Sequence, residues 1–359
     1  MQLLQLYYFF ITLNTFNRHS LTLKSAYARM KMNIENKKGK RGSNMKKNKR
    51  KTSLKSTLLL LLLTAILLIT SSYAWFTSNK TVTVSTIEVN VAATNGLQIS
   101  TDAQNWKSII TVDEIVKGYT DHKNQLPAVL QPVSTDGTVV AGYMNMFLGT
   151  VTNNESTGAF ELSSTKETEA AGTTGNFIAF DIFLKVDTQT KVYLTSASGV
   201  KAKNTSVGLE NAARIAFVNE GHLGNGNAVT SYQKLNGGTT SVIWEPNNNA
   251  HTNAAISHAF NTYGQTINAT SVVPNYLGIK AQFSKIPVND TTESNFATVT
   301  PTISTGTVTP VPTDAFVTLE AGVTKFRVYM WVEGQDVDCE NGASGSDIAF
   351  DLQFSIDKI

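Results

Sequence analysis

Two kinds of hydrophobic pattern divide the chain. Residues 58–69 form an almost continuous apolar run that opens with six leucines. From residue 82 onwards the apolar positions alternate with polar ones, as in Val82 and Val84 and then in Ile87, Val89 and Val91. A period of two is typical of a strand with one buried face, and the change of phase near Ser85 predicts a bulge. The pattern therefore predicts an apolar leader followed by a β-rich body.

Strands predicted in the same way continue to the C-terminus. Residues 325–332 and 348–356 show the clearest alternation, and residues 333–347 are predicted to join them as a hairpin loop. Residues 176–186 are apolar at nearly every position, which indicates burial on both faces. Other predicted strands are 139–150, 191–195, 212–218, 240–244 and 278–283. Strands at this spacing, with Gly and Asn turns between them, predict an all-β, antiparallel sandwich or barrel.

Polar stretches interrupt this strand pattern. Long loop insertions are predicted near 223–266 and 288–312, and the second is rich in Thr and Pro. Asn95-Gly96 predicts a tight turn between the strand that ends near Val91 and the one that follows. Short helices are predicted within 112–119 and 207–213.

The apolar run has the features of an export signal. Lys46 to Lys51 supply a basic segment before it, and Ser72 and Ala74 place small residues before a cleavage site between Ala74 and Trp75. Its core of about 12 residues is short for a spanning helix, which needs about 20. We expect residues 45–74 to be a cleaved signal peptide, with an uncleaved helical membrane anchor as the alternative. The predicted location is secreted, or attached to the cell surface through the leader.

Residues 1–44 are unusual in front of such a leader, because a signal peptide normally begins a few residues before its basic segment. Met45 is a suitable start, so our hypothesis is that residues 1–44 are a non-native or disordered extension. The apolar residues 2–13 leave a second membrane segment as the competing interpretation.

Charge separates the leader from the body. The first 74 residues hold 14 Lys and Arg and one acidic residue, whereas residues 75–359 hold 16 basic and 26 acidic residues, a net charge of −10. An acidic body repels phosphates, so we predict no nucleic-acid partner. Cys339 is the single cysteine and cannot form an internal disulfide, which predicts a buried small apolar residue, with a reactive or intermolecular thiol as the alternative.

No catalytic pattern is present in the sequence. There is no HExxH, no Gly-x-Ser-x-Gly and no phosphate-binding glycine loop, and the five histidines are predicted to lie in loops. No cofactor is predicted, and a metalloprotease is disfavoured because closely spaced zinc ligands with a general base are missing.

The acidic segment after Trp331 is the best candidate site. Asp336, Asp338, Glu340 and Asp347 place carboxylates at alternating positions and at the twelfth position, as calcium loops do. Position six is Asn341 rather than Gly, and no helices flank the segment. Calcium binding and a solvated acidic hairpin loop are the two interpretations.

Two segments resemble a known family. The junction Ser72-Tyr73-Ala74-Trp75-Phe76-Thr77-Ser78-Asn79-Lys80, followed by alternating valines, is similar to the processing region of TasA/camelysin-type proteins of Gram-positive bacteria. The segment from Phe326 to Cys339, with Trp244-Glu245-Pro246-Asn247, resembles exported proteins with the same leader. The resemblance implies a jelly-roll-like β-sandwich, processing by a SipW-type signal peptidase, and assembly into biofilm matrix fibres.

Three classes of function follow. The first is a structural surface or matrix protein in which the freed segment 75–92, with Val82, Val84, Ile87, Val89 and Val91, pairs with the next copy by strand donation. Self-association or other matrix proteins would be its partners, with membrane contact only through the leader. The second is an adhesin-like module that binds glycans or host surfaces through long loops and Trp244. The third is an enzyme, a protease.

Overall fold

The computed structural model describes residues 81–92, 96–203, 208–247, 251–257, 276–287, 293–300, 315–336, 338–339, 345 and 347–356. The predicted extension 1–44, the leader 45–74 and the cleavage residues Ala74 and Trp75 lie outside these ranges, as does Glu340. In the described part of the chain, none of the helices combines the length and the apolar character that crossing a membrane requires.

The described residues are predominantly β. Their twenty strands are β1 (Val82–Val91), β2 (Gln98–Ser100), β3 (Ile109–Ile110), β4 (Val129–Leu130), β5 (Val133–Ser134), β6 (Val139–Val140), β7 (Tyr143–Met144), β8 (Phe147–Asn153), β9 (Phe160–Lys166), β10 (Ile178–Val186), β11 (Thr190–Leu194), β12 (Gly199–Ala202), β13 (Ala213–Leu223), β14 (Ser241–Trp244), β15 (Tyr276–Ile279), β16 (Phe283–Pro287), β17 (Phe296–Val299), β18 (Val317–Leu319), β19 (Gly322–Val332) and β20 (Asp347–Ser355). The all-β prediction is confirmed.

Short helices connect some of these strands. Helix α1 (Val112–Lys117) begins at a capping box in which Thr111 and Glu114 bind each other's backbone, which fixes where the helix starts. Helix α2 (Val229–Gln233) and the 3₁₀ turn Leu209–Ala212 follow, and residues 253–257 are also helical. The helices predicted within 112–119 and 207–213 are therefore present.

Two large sheets share the main hydrophobic core. Sheet 1 has the order β18-β11-β20-β1-β3, with β12 also paired to β20 and β4 to β1, and sheet 2 has the order β14-β13-β19-β10-β2. Valines and phenylalanines of β1 and β20 pack in one cluster with one face of β10, β13 and β19. This arrangement explains the alternation in β1 and β20, whose second faces point away from the core.

The second face of sheet 2 is also covered. Phe177, Ala216 and Trp331 pack there against Met144 and Tyr276 from the smaller sheets. Those sheets are β16-β9-β8-β5, β15-β17 and β6-β7. As a result β10 is buried on both faces, as predicted, and all eleven residues of β19 are buried.

Several sequence predictions need correction. Strands β19 and β20 belong to different sheets, so residues 333–347 cross between sheets and are not a hairpin loop. Asn95, predicted to form a tight turn with Gly96, lies outside the described residues, and the strands on either side of it, β1 and β2, belong to different sheets. The predicted insertions are not loops throughout, because 223–266 contains α2 and 288–312 contains β17, whereas β14 is the strand predicted at 240–244. The sheets are also not wholly antiparallel, since β1 runs parallel to β20.

Candidate functional site

Strand β1, the predicted assembly strand, lies inside sheet 1 of its own chain. On one side it pairs in parallel with β20, so that Ile87, Val89 and Val91 align with Phe350, Leu352 and Phe354. The predicted phase slip is a bulge between Val84 and Thr86, where the Ser85 hydroxyl donates to the Ile348 carbonyl at 3.1 Å. The segment that sequence reasoning left free for a neighbour is therefore paired within the chain.

The other edge of β1 is paired only at its ends. Strand β3 pairs with Val89 and Asn90, and β4 pairs with Val82 and Thr83. Two further backbone bonds, from Val84 to Ala128 at 2.9 Å and from Val91 to Ser108 at 2.7 Å, extend these contacts. The strand thus occupies a slot whose β20 wall is long and whose opposite wall consists of two short segments.

The core face of β1 fills this slot with four apolar side chains. Val82 and Val89 are fully buried, Val91 is 4% exposed and Ile87 is 9% exposed, while Val84 is partly buried against the same core. The outward face carries the exposed Glu88. Burying a branched aliphatic side chain contributes about 1.5–3 kcal/mol, so the strand is held mainly by these contacts and its ladder with β20.

The acidic segment after Trp331 is buried, which corrects the solvated-loop interpretation. Asp336 forms an ion pair with the guanidinium of Arg214, and that guanidinium also lies 2.9 Å from the Glu245 carboxylate. All three side chains are nearly inaccessible to solvent. Burial raises the pKa of Glu245, with nearby Arg214 opposing the shift. These contacts hold the segment between β19 and β20 against the start of β13 and the end of β14.

Asp338 faces a histidine that the sequence placed in a loop. The His251 Nδ1 atom lies 2.5 Å from the Asp338 carboxylate, and the Thr252 amide donates to the same side chain at 3.1 Å. Both side chains are buried. Burial raises the pKa of Asp338, and the bond from His251 works against that shift. His251 lies outside the helices and strands, as predicted, but its side chain is buried against Asp338.

The three predicted calcium ligands that the structure describes do not converge. Asp336 and Asp338 turn to Arg214 and His251, and Asp347 begins β20, opposite Thr83 of β1. Across the described ranges, no group of three or more His, Cys, Asp or Glu side chains is placed to hold a metal. Carboxylates committed to a guanidinium and an imidazole give the calcium prediction no support.

A second buried charge network lies on the covered face of sheet 2. Arg327 donates to Asp181 at 2.7 Å and pairs with Glu169, while Lys325 lies 3.2 Å from the Asp181 carboxylate. The Tyr119 hydroxyl donates to Asp181 at 2.6 Å. Arg327 and Lys325 together lower the pKa of Asp181 against the effect of burial. The network joins Tyr119 and Glu169 to β10 and β19, and its charged groups are paired with one another.

The aromatic residue proposed for glycan stacking is also internal. Trp244 is 1% exposed and packs in the main core, and Trp331 is fully buried. Cys339 is fully buried in the same core, as the small-apolar interpretation predicted. A sugar needs an exposed ring face, so Trp244 cannot serve the adhesin function.

Sequence reasoning missed the partners of the acidic segment. Arg214, Glu245 and His251 are distant from it along the chain, and only the topology brings them together. One signal was available: Arg214 interrupts the otherwise apolar run 212–218, and a charge in such a run requires a buried partner.

Comparisons with known proteins identify no family. No protein-family model matches the chain, and neither the curated proteins nor the solved structures contain a match to it.

Proposed function

We propose that the protein is an exported structural protein of the cell surface or extracellular matrix that assembles into fibres by donating β1 to the next copy. The observation that carries the proposal is the position of β1, which fills a slot between β20 and the short strands β3 and β4. A jelly-roll-like topology is part of the proposal. It is supported by two sheets that share one core and in which most neighbouring strands are antiparallel.

The connections of β1 make an exchange possible without unfolding the body. Neither β3 nor β20 is joined to β1 by a tight turn, because β2 of the other sheet intervenes before β3 and β20 is near the C-terminus. The strand leaves its slot at Ala92, and β2 begins at Gln98. If β1 swings out, an identical β1 from another copy restores every side-chain and ladder contact. In the proposed fibre the exchange runs head-to-tail without closing, so it propagates from copy to copy.

The rest of the proposal follows from the sequence. The basic and apolar leader directly before β1 supports export, and its removal at Ala74 by a SipW-type signal peptidase would free the strand's N-terminal end. Other matrix proteins are proposed as partners through the same slot. The sequence offers a protease no HExxH or Gly-x-Ser-x-Gly pattern, and the burial of Trp244 removes the specific support for a glycan-binding module.

The test uses cysteines at Glu88 and Asp351, which are register partners across β1 and β20. In a Cys339→Ala background, Glu88→Cys with Asp351→Cys is treated with a short bis-maleimide. Strand donation predicts a ladder of crosslinked oligomers on a denaturing gel. The matched control is Lys191→Cys with Thr318→Cys, exposed register partners on β11 and β18, which should crosslink only within one chain. A β1 pair that also crosslinks only within one chain would refute the proposal.

A further inference from the structure

The exposed apolar side chains are unevenly distributed. Among the described residues, the large apolar side chains that remain exposed number six, and three of them fall within residues 109–116. Ile109 is 61% exposed, Val112 is 38% exposed and Val116 is 41% exposed. Isolated exposed apolar residues need no explanation, but a cluster of them indicates a contact surface. We call these three residues the β3–α1 patch.

Local structure holds the patch together. Val112 and Val116 are four residues apart in α1 and so lie on the same side of the helix. Ile115, between them in sequence, is fully buried and anchors the helix to the main core. The capping box of Thr111 and Glu114 fixes the start of α1 directly after β3. The patch is therefore displayed on a fixed support.

The patch lies where β1 leaves its slot. Val91 donates to Ser108 at 2.7 Å, and Asn90 pairs with Ile109. Ala92 then donates to Phe354 at 2.7 Å, so β1 ends beside the beginning of β3. Any chain that occupies the slot must exit next to Ile109.

The length of the connection determines what comes next. From Ala92 to Gln98 there are six residue steps, which span at most about 21 Å when fully extended. If β1 belongs to another copy, the body of that copy must begin within this distance of the acceptor's Ile109. The donor body therefore lies near the part of the acceptor surface where the β3–α1 patch begins, at Ile109.

We propose that the β3–α1 patch is the docking surface for the body of the donor copy in the fibre. This inference rests on the proposed strand donation and adds a second contact to it. The occupant is a second copy of this chain, in the region around its β2, which follows the connection directly. The patch would set the angle between successive copies and stabilise the exchanged state over the closed monomer, because β1 makes the same contacts in both.

The test compares patch variants in the crosslinkable chain described above. Val112→Ser with Val116→Ser, which leaves the β3 wall of the slot unchanged, should raise the protein concentration needed for a half-maximal ladder by about tenfold or more, since two apolar side chains lose their burial. Val140→Ser is the matched control, because Val140 is 56% exposed on the β6-β7 hairpin, which packs on the other layer. Its ladder should be unchanged. The melting temperatures of all variants should match the parent, because the altered side chains are exposed.

The outcomes separate the two proposals. A ladder that weakens in the patch variant alone supports the docking surface. If the parent chain and the patch variant give the same ladder, the docking surface is overturned while strand donation stands. A parent that crosslinks only within one chain overturns strand donation, and the docking surface with it.

Discussion

Replacing Arg214 by Met tests the buried ion pair that fixes the segment between β19 and β20. Arg214 is fully buried and is in ionic contact with both Asp336 and Glu245. Removing one partner of a buried pair typically costs 3–5 kcal/mol, because the remaining charge has lost its compensation. We therefore expect Arg214→Met to lower the free energy of unfolding by about 4 kcal/mol at pH 8.

The loss should depend on pH in a defined direction. Without the guanidinium, the buried Glu245 carboxylate loses the positive charge that opposes the rise in its pKa, so its neutral form is favoured further. At pH 5 Glu245 folds in this neutral form, and the cost of burying its charge is smaller than at pH 8. The difference between wild type and Arg214→Met should therefore shrink as the pH falls.

Urea unfolding followed by tryptophan fluorescence measures this difference, since Trp244 and Trp331 are both buried. Lys201→Met is the control, because Lys201 and Asp351 form a solvent-exposed ion pair at 3.1 Å that should contribute less than about 1 kcal/mol. A loss below about 1 kcal/mol for Arg214→Met at pH 8, or a larger loss at pH 5 than at pH 8, would contradict the reasoning.

Two further predictions concern β1 and the covered face of sheet 2. Val89→Ala, at a fully buried position of β1, should lower the free energy of unfolding by about 2 kcal/mol in urea titrations. Glu88→Ala, on the outward face of the same strand, should change this free energy little. Equal effects of the two substitutions would show that β1 is not packed as described. Burial raises the pKa of Glu220 to about 7 from a usual value of 4.5, and its Oε1 atom has no hydrogen-bond partner among the described residues. The folded chain therefore holds this proton up to about pH 7 while the unfolded chain releases it lower, so Glu220 destabilises the fold as the pH rises from about 5 to 7. Thermal melts across this range should show a shallower decline for Glu220→Gln than for wild type, with Glu155→Gln as the exposed control; an unchanged slope would contradict the assignment.

The sequence predicted the strands well where one physical pattern governs them. β1, β10, β19 and β20 follow directly from period-two alternation or from a continuous apolar run. The bulge in β1 also follows from the phase slip at Ser85. What alternation cannot supply is the partner of each strand, which is why β19 and β20 appeared to form a hairpin and β1 appeared free.

The buried charges show the same limit. A run of carboxylates such as Asp336 and Asp338 looks like a solvated loop or a cation site, because a sequence does not show what lies opposite. Arg214 and His251 come from distant segments that the two sheets bring together. A charge within an apolar strand does predict a buried pair, but not the identity of its partner.

The most direct test of strand donation mixes chains of two isotopic compositions. Equal amounts of ¹⁵N-labelled and unlabelled Glu88→Cys, Asp351→Cys chain, both in the Cys339→Ala background, are assembled together, crosslinked and digested. Mass spectrometry then determines whether the linked peptides carrying positions 88 and 351 come from the same chain. Strand donation predicts that about half of these linked pairs combine a labelled with an unlabelled peptide, because the donor and acceptor chains are drawn at random from the mixture. Linked pairs that are all labelled or all unlabelled would show that β1 stays in its own chain, and would contradict the account.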